Sequence, residues 1–147
     1  MRTIEGDKRE TFWRGPRLRA DGESIGGCSV LRLAGDLDST SAPPLRDWMI
    51  EGVDDGRVGQ RIVLDLGDVE LFDSSGLGAI VTVWKRTRTV GGDLGVARPP
   101  RVCGIMMRRT GLAGHIVMAD AVPAVTELLV SGAMACAHVG DGPAPTC

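Results

Sequence analysis

Arg61-Ile62-Val63-Leu64-Asp65-Leu66, followed by Val69, Leu71 and Phe72 and then by Asp73-Ser74-Ser75-Gly76-Leu77-Gly78, is the stretch on which the fold turns. Its first block is short and nearly continuously apolar, the pattern of a central strand covered by helices on at least one face. From Leu77 the period changes. Leu77, Ile80, Val81, Trp84 and Arg88 recur at helical spacing, and Gly91-Gly92 supplies the stop. A strand that hands over to a helix in this way is the repeating unit of an α/β sheet.

The same alternation extends in both directions. Upstream, Ser29 to Ala34 reads as a strand, closed by turn chemistry in Gly35-Asp36-Leu37-Asp38. Ser39, Thr40 and Ser41 are N-cap candidates, Pro43 suits a first helical turn, and Leu45, Trp48 and Met49 mark an apolar helix face. Residues 52–59 form a polar break. Residues 1–27 are charged and glycine-rich, with Phe12, Trp13 and Leu18 as apolar anchors and one edge strand expected around Arg17 to Ala20.

Downstream, Asp93 to Ala97 is a short strand candidate. Pro99-Pro100 opens a helix carrying Val102, Ile105, Met106 and Arg109 that stops near Gly111. His115-Ile116-Val117 reads as a last strand and Ala121 to Val130 as a last helix. Strands alternating with helices predict an α/β domain with a mostly parallel sheet.

A chain of 147 residues, 43% of them hydrophobic, suits one compact domain with a single core. The net charge of −2, from 17 basic and 19 acidic residues, gives no footprint for nucleic acid or an anionic membrane. Lys85, Arg86 and Arg88 read as a solvated helix face. Cys28, Cys103, Cys136 and Cys147 have long, irregular spacings, and His115 and His138 fall into no metal-ligand pattern. The N-terminus lacks the apolar stretch of a signal peptide, and no apolar run is long enough for a membrane span. The expectation is a cytoplasmic protein with reduced cysteines and no cofactor.

The segment around Asp73 has two readings. Its acidic and hydroxyl side chains can cap a helix, which alone would explain them. Alternatively, one of the hydroxyls accepts a phosphoryl group, whose charge the positive end of the helix tolerates, so that the effect falls on a docked partner. A nucleophile elbow is disfavoured, because Asp73 stands where Gly-x-Ser-x-Gly requires glycine. Gly76 and Gly78 lack the flanking residues of a phosphate-binding loop; they read as keeping the helix start narrow and its backbone open to a partner. Asp36 and Asp38 read as an Asx-type turn in preference to a metal pair. Trp48 and Trp84 read as packing residues, not a platform for bases.

In order and spacing, Ile62-Val63-Leu64-Asp65-Leu66, Phe72-Asp73-Ser74-Ser75-Gly76-Leu77-Gly78, Gly91-Gly92 and Thr110-Gly111-Leu112 resemble the STAS family of anti-sigma factor antagonists. Gly35-Asp36-Leu37-Asp38 with Ser41-Ala42-Pro43 is similar to that family's first loop and helix. The resemblance covers residues 17–130 as the STAS domain, and it departs from the family in the longer ends, which by composition read as a loose extension (1–16) and a flexible tail (131–147). It implies a mixed, mostly parallel sheet of four to five strands with about four helices. The implied activity is binding, not catalysis. The unphosphorylated form captures an anti-sigma factor that is also a serine kinase, and phosphorylation at Ser74 switches binding off until a phosphatase restores it. Ser75 is the neighbouring hydroxyl that can substitute. Asp36, Asp38, Ser41, Asp73, Ser75, Gly76, Gly78 and Thr82 are the residues implied in partner binding. The alternative is a non-switching accessory subunit of a transport or signalling complex.

Overall fold

The alternating strand and helix signals assemble into one sheet of six strands with four α-helices, in a computed structural model that describes residues 11–56, 58 and 61–132. The elements are β1 (Thr11–Gly15), β2 (Leu18–Ile25), β3 (Cys28–Leu37), α1 (Ala42–Asp54), β4 (Arg61–Phe72), α2 (Ser74–Thr89), β5 (Asp93–Ala97), α3 (Arg101–Arg109), β6 (Val117–Ala119) and α4 (Val122–Ser131). Strand order follows chain order. The first two ladders are antiparallel and the other three parallel, as the α/β reading requires.

Successive parallel crossovers that always step the same way, with the usual right hand, place their helices on one face of the sheet. The larger core lies there: Leu31, Leu33, Ile62, Leu64, Leu66, Leu94 and Val96 from the strands meet Leu45 and Met49 of α1, Ile80 and Val83 of α2, and Cys103 and Met107 of α3. The alternate residues of the same strands, Val30, Val63, Ala97 and Val117, point to the other face, where Val125 and Leu129 of α4 cover them. Gly95 lies under α4, because a Cβ there would press on Val125 and Val117.

Several elements run differently from the sequence reading. The N-terminal stretch expected to be loose before residue 17 contains β1, which pairs with β2 across a Pro16-Arg17 loop. Trp13 packs on Trp48 of α1 with ring centroids 6.1 Å apart, which holds the hairpin down. Phe12, expected as an anchor, is 55% exposed because alternation turns it to the opposite side from Trp13. β3 continues through Gly35, Asp36 and Leu37, accommodating the turn-like residues with irregularities in its register against β4. β4 likewise runs on to Phe72, beyond the apolar block. The last strand starts at Val117, with His115 in the turn before it. Most of the expected C-terminal tail, with Cys136, His138 and Cys147, and residues 1–10 lie outside the described residues. Cys28 and Cys103 are buried free thiols, and burial pushes Cys103 up to about 11.

The one polar residue in the apolar run of β4 has its own anchor. Asp65 is 2% exposed. Its carboxylate accepts from Arg98 Nε at 2.9 Å and Nη2 at 3.0 Å and from the Gly67 N–H at 3.0 Å, with Arg32 at 3.6 Å. Gly67 lacks a side chain where the Arg98 guanidinium lies. A buried carboxylate left without its partners is costly. Arg98→Ala is therefore expected to destabilise the domain by about 2 kcal/mol with an unchanged denaturant slope. Urea unfolding followed by circular dichroism checks this, and a change below a few tenths would contradict it.

Candidate functional site

Parallel pairing of β3 with β4 aligns the ends of the two strands: Asp36 stands beside Leu71 and Leu37 beside Phe72. Each strand then leads into a helix. The N-terminal turns of α1 and α2 consequently lie at the same edge of the sheet, the carboxyl end of its parallel strands. Functional sites of open α/β sheets gather at this edge, because the loops there are free of sheet pairing and the helix N-termini point outward. The Asp73 N–H donates to the Leu37 carbonyl at 3.4 Å, joining the two connections.

Asp73 is the N-cap of α2. Its extended backbone places Oδ1 2.8 Å from the Ser75 N–H and 3.4 Å from the Gly76 N–H. The capping that the sequence left open between the acid and the serines thus falls to the aspartate. Ser74 is the first helical residue and is exposed, and no hydrogen bond engages its hydroxyl among the described residues. Ser75 is half-buried. Ser74 is therefore the hydroxyl of the pair that faces solvent.

The two glycines do different things. Gly76 is buried, and a Cβ there would approach Leu37 Cγ to 2.9 Å and Phe72 Cε2 to 3.1 Å. Its missing side chain lets the first turn of α2 lie against the strand ends. Gly78 is exposed with nothing near the position a Cβ would take. Thr82, one turn on, is exposed and donates to the Gly78 carbonyl at 2.9 Å. The buried stripe of α2 is Gly76, Ala79, Ile80, Val83 and Thr87. The apolar face read from sequence is rotated from this, so Leu77, Val81 and Trp84 are only partly covered. Of the basic group on this helix, Arg86 forks onto Asp54 of α1 at 2.8 Å on both oxygens. Arg88 lies over the Trp84 ring and 3.6 Å from Asp93.

The neighbouring loop is built around Asp38. Its Oδ1 accepts from the Thr40 N–H at 2.9 Å and the Ser41 N–H at 3.1 Å, an Asx turn. Ser41 occupies the N-cap position of α1 but does not cap it. Its buried hydroxyl accepts from the Asp38 N–H at 3.0 Å and donates to the Asp36 carbonyl at 2.6 Å. Arg17 closes the loop from the β1–β2 turn, 3.1 Å from Asp36 Oδ2 and 3.3 Å from Asp38 Oδ2. The sequence reading gave Arg17 only a place in an edge strand; the partnership is invisible there because 19 residues separate it from Asp36.

Hydrogen bonding from the Ser41 N–H, then from Thr40, and the Arg17 charge outweigh desolvation and hold the Asp38 carboxyl below its ordinary 3.8. Asp36, Asp38, Ser41, Asp73, Ser75, Gly76, Gly78 and Thr82 thus fall on two adjoining connections and the first turns of α2. Asp38, Ser41 and Gly76 are buried and shape the surface, whereas Ser74, Gly78 and Thr82 are exposed on it.

Opposite signs are expected at the two glycines. Gly76→Ala should destabilise by about 1 kcal/mol or more through crowding, and Gly78→Ala should stabilise by up to about 1 kcal/mol through helix propensity. Thermal melts of both variants check this, and the same sign at both positions would contradict the packing described.

A carboxyl with a lowered folded pKa contributes stability that is present above its unfolded value and lost as pH falls through the folded one. Asp38→Asn should therefore flatten the decline of stability below about pH 4. Urea midpoints measured across the acid range decide this; parallel curves for variant and wild type would contradict it.

A family model described as the STAS domain matches residues 19–125. The chain is 32% identical over 114 residues to the anti-sigma F factor antagonist of Paenibacillus polymyxa, covering 77% of this chain and 97% of that one. Among solved structures, an anti-sigma factor antagonist from Mycobacterium paratuberculosis is similar with a TM-score of 0.67 and 21% identity, over 77% of this chain and 94% of the other. The Bacillus cell fate determinant SpoIIAA, solved in its phosphorylated form, is similar with a TM-score of 0.58 and 19% identity, over 82% and 99%. At those identities the two structures speak for the fold.

Proposed function

The chain belongs to the STAS domain family, and from that premise we propose that it is an anti-sigma factor antagonist that acts in the cytoplasm by binding, not catalysis. In its unphosphorylated form it captures an anti-sigma factor that is also a serine kinase, and so releases a sigma factor. Phosphorylation of Ser74 ends the capture, and a phosphatase restores it. Ser74 carries the reading, exposed at the first position of α2 with its neighbour Asp73 already committed to the cap. Because the aspartate and not the serine satisfies the helix end, Ser74 can be modified without removing a cap.

The physical effect of the modification follows from charge. A phosphoryl group adds about −1.5 to −2 charges at pH 7. The positive end of α2 tolerates it, so the fold survives. A partner seated over Ser74, the Asp36–Ser41 loop and the partly covered Leu77 and Val81 would meet bulk and charge in the middle of its contact. Desolvating that group without a matching cation opposes docking. The switch therefore acts on the complex and leaves the isolated domain intact.

Ser74→Glu is expected to weaken capture of the anti-sigma factor by at least about tenfold, whereas Ser74→Ala keeps it. Both variants should retain the wild-type melting temperature within a few degrees. Paired pull-downs with these baits, followed by titration calorimetry on the protein recovered, test this. Equal retention of a kinase-bearing partner by wild type and Ser74→Glu would overturn the switch and favour a non-switching accessory subunit.

A further inference from the structure

Arg17 is a residue in the wrong conformation for its type. It occupies the second position of the two-residue loop between β1 and β2, closed by the Gly15–Leu18 pair. Its φ is +64°, in the left-handed region. Pro16 fixes the first loop position near φ −65°, and a turn of that shape favours glycine or asparagine at the next one. Glycine takes such a φ without steric penalty, whereas a Cβ opposes it. A side chain kept there against that preference points to what the side chain does.

Its backbone and its guanidinium both act on the same loop. The Arg17 carbonyl accepts from the Asp36 N–H at 2.8 Å. Gly35, at φ +119°, has no side chain where the Arg17 carbonyl passes. The guanidinium then bridges Asp36 Oδ2 at 3.1 Å and Asp38 Oδ2 at 3.3 Å. Asp38 Oδ1 is already engaged by Thr40 and Ser41, so Arg17 takes the carboxylate's second oxygen. At 57% exposure the ion pairs add little to stability. Backbone preference opposes the residue, and the pairs hardly offset it. Global stability does not account for an arginine at this place, but the shape and charge of the loop do.

We propose that Arg17 is a positioning residue, which fixes the Asp36–Ser41 loop in the conformation presented to the anti-sigma factor. The proposal rests on the reading of that loop as a docking surface. The β1–β2 hairpin thereby becomes part of the recognition apparatus, although its tip need not touch the partner. Arg17 also neutralises two carboxylates of that loop, so its loss changes both the order and the charge of the surface.

The test compares Arg17→Gly, Arg17→Lys, Ser74→Glu and wild type. Glycine relieves the backbone, so Arg17→Gly should melt at or above the wild-type temperature. Its Thr40 and Ser41 amides should nevertheless exchange with solvent about fivefold faster or more, and affinity for the purified anti-sigma factor held by wild-type bait should fall by a similar factor. Arg17→Lys keeps a point charge and should recover at least half of both effects.

Wild-type exchange and affinity in Arg17→Gly would overturn the role of Arg17, as would losses matched by a lower melting temperature. Ser74→Glu separates the two ideas. Weakened binding there with wild-type behaviour of Arg17→Gly sinks only the positioning role. Faster exchange in Arg17→Gly with full binding by Ser74→Glu sinks only the switch. If no anti-sigma factor is retained by wild type, the amide exchange still decides whether Arg17 orders the loop.

Discussion

The parallel ladder between β3 and β4 joins the two halves of the molecule. On one side of it lie the antiparallel β1–β2 hairpin and on the other the parallel strands β5 and β6. Its last pairs, Asp36 with Leu71 and Leu37 with Phe72, bring two chain segments more than thirty residues apart to a common edge. From that edge α1 and α2 start side by side, and Gly76 lets the second lie directly on Leu37 and Phe72. A one-residue slip would exchange the two faces of the strands, moving Val63 and Asp65 to the helices and Ile62 and Leu64 to α4. The surface at the edge exists only in this register.

Two arginines in left-handed conformations, Arg17 and Arg98, flank this ladder. Arg17 sits in the β1–β2 turn and bridges Asp36 and Asp38, whereas Arg98 directly follows β5 and forks onto Asp65 of β4. Arg98 satisfies Asp65, which is buried, so that pair belongs to the stability of the sheet. Arg17 serves Asp36 and Asp38 at the open edge, where solvent screens the charges, so that pair belongs to the shape of the surface. The same chemistry has different consequences because the burial differs.

Much of the fold was legible along the chain. The apolar run of β4 and the change of period at Leu77 fix strand, helix and their order, and Pro43 and Gly91 mark helix boundaries through backbone preference alone. The turn-like Gly35 to Asp38 misled because local propensity favoured a stop, whereas pairing with Val69, Leu71 and Phe72 carried β3 through Leu37. β1 was missed for a similar reason: it is a short segment with two apolar residues, and its strand state depends on the partner strand and on Trp48. The rotation of the α2 face came from reading Leu77, Val81 and Trp84 by hydropathy. The tight seat against the strands places Gly76 and Ala79 beside Ile80 and Val83, and residues as small as the first two carry little hydrophobic signal.

At the site, residue type and local spacing marked Asp73 with its two serines and the Asp36–Ser41 turn, because caps and Asx turns are made by residues within three or four positions of one another, and the family resemblance implied Ser74 of the two hydroxyls. Which hydroxyl faces solvent, that Gly76 is internal and Gly78 external, and that Arg17 reaches Asp36 and Asp38 were decided by the tertiary structure. Those facts depend on contacts between segments far apart in sequence. Such contacts are set by packing and register, which no local pattern encodes.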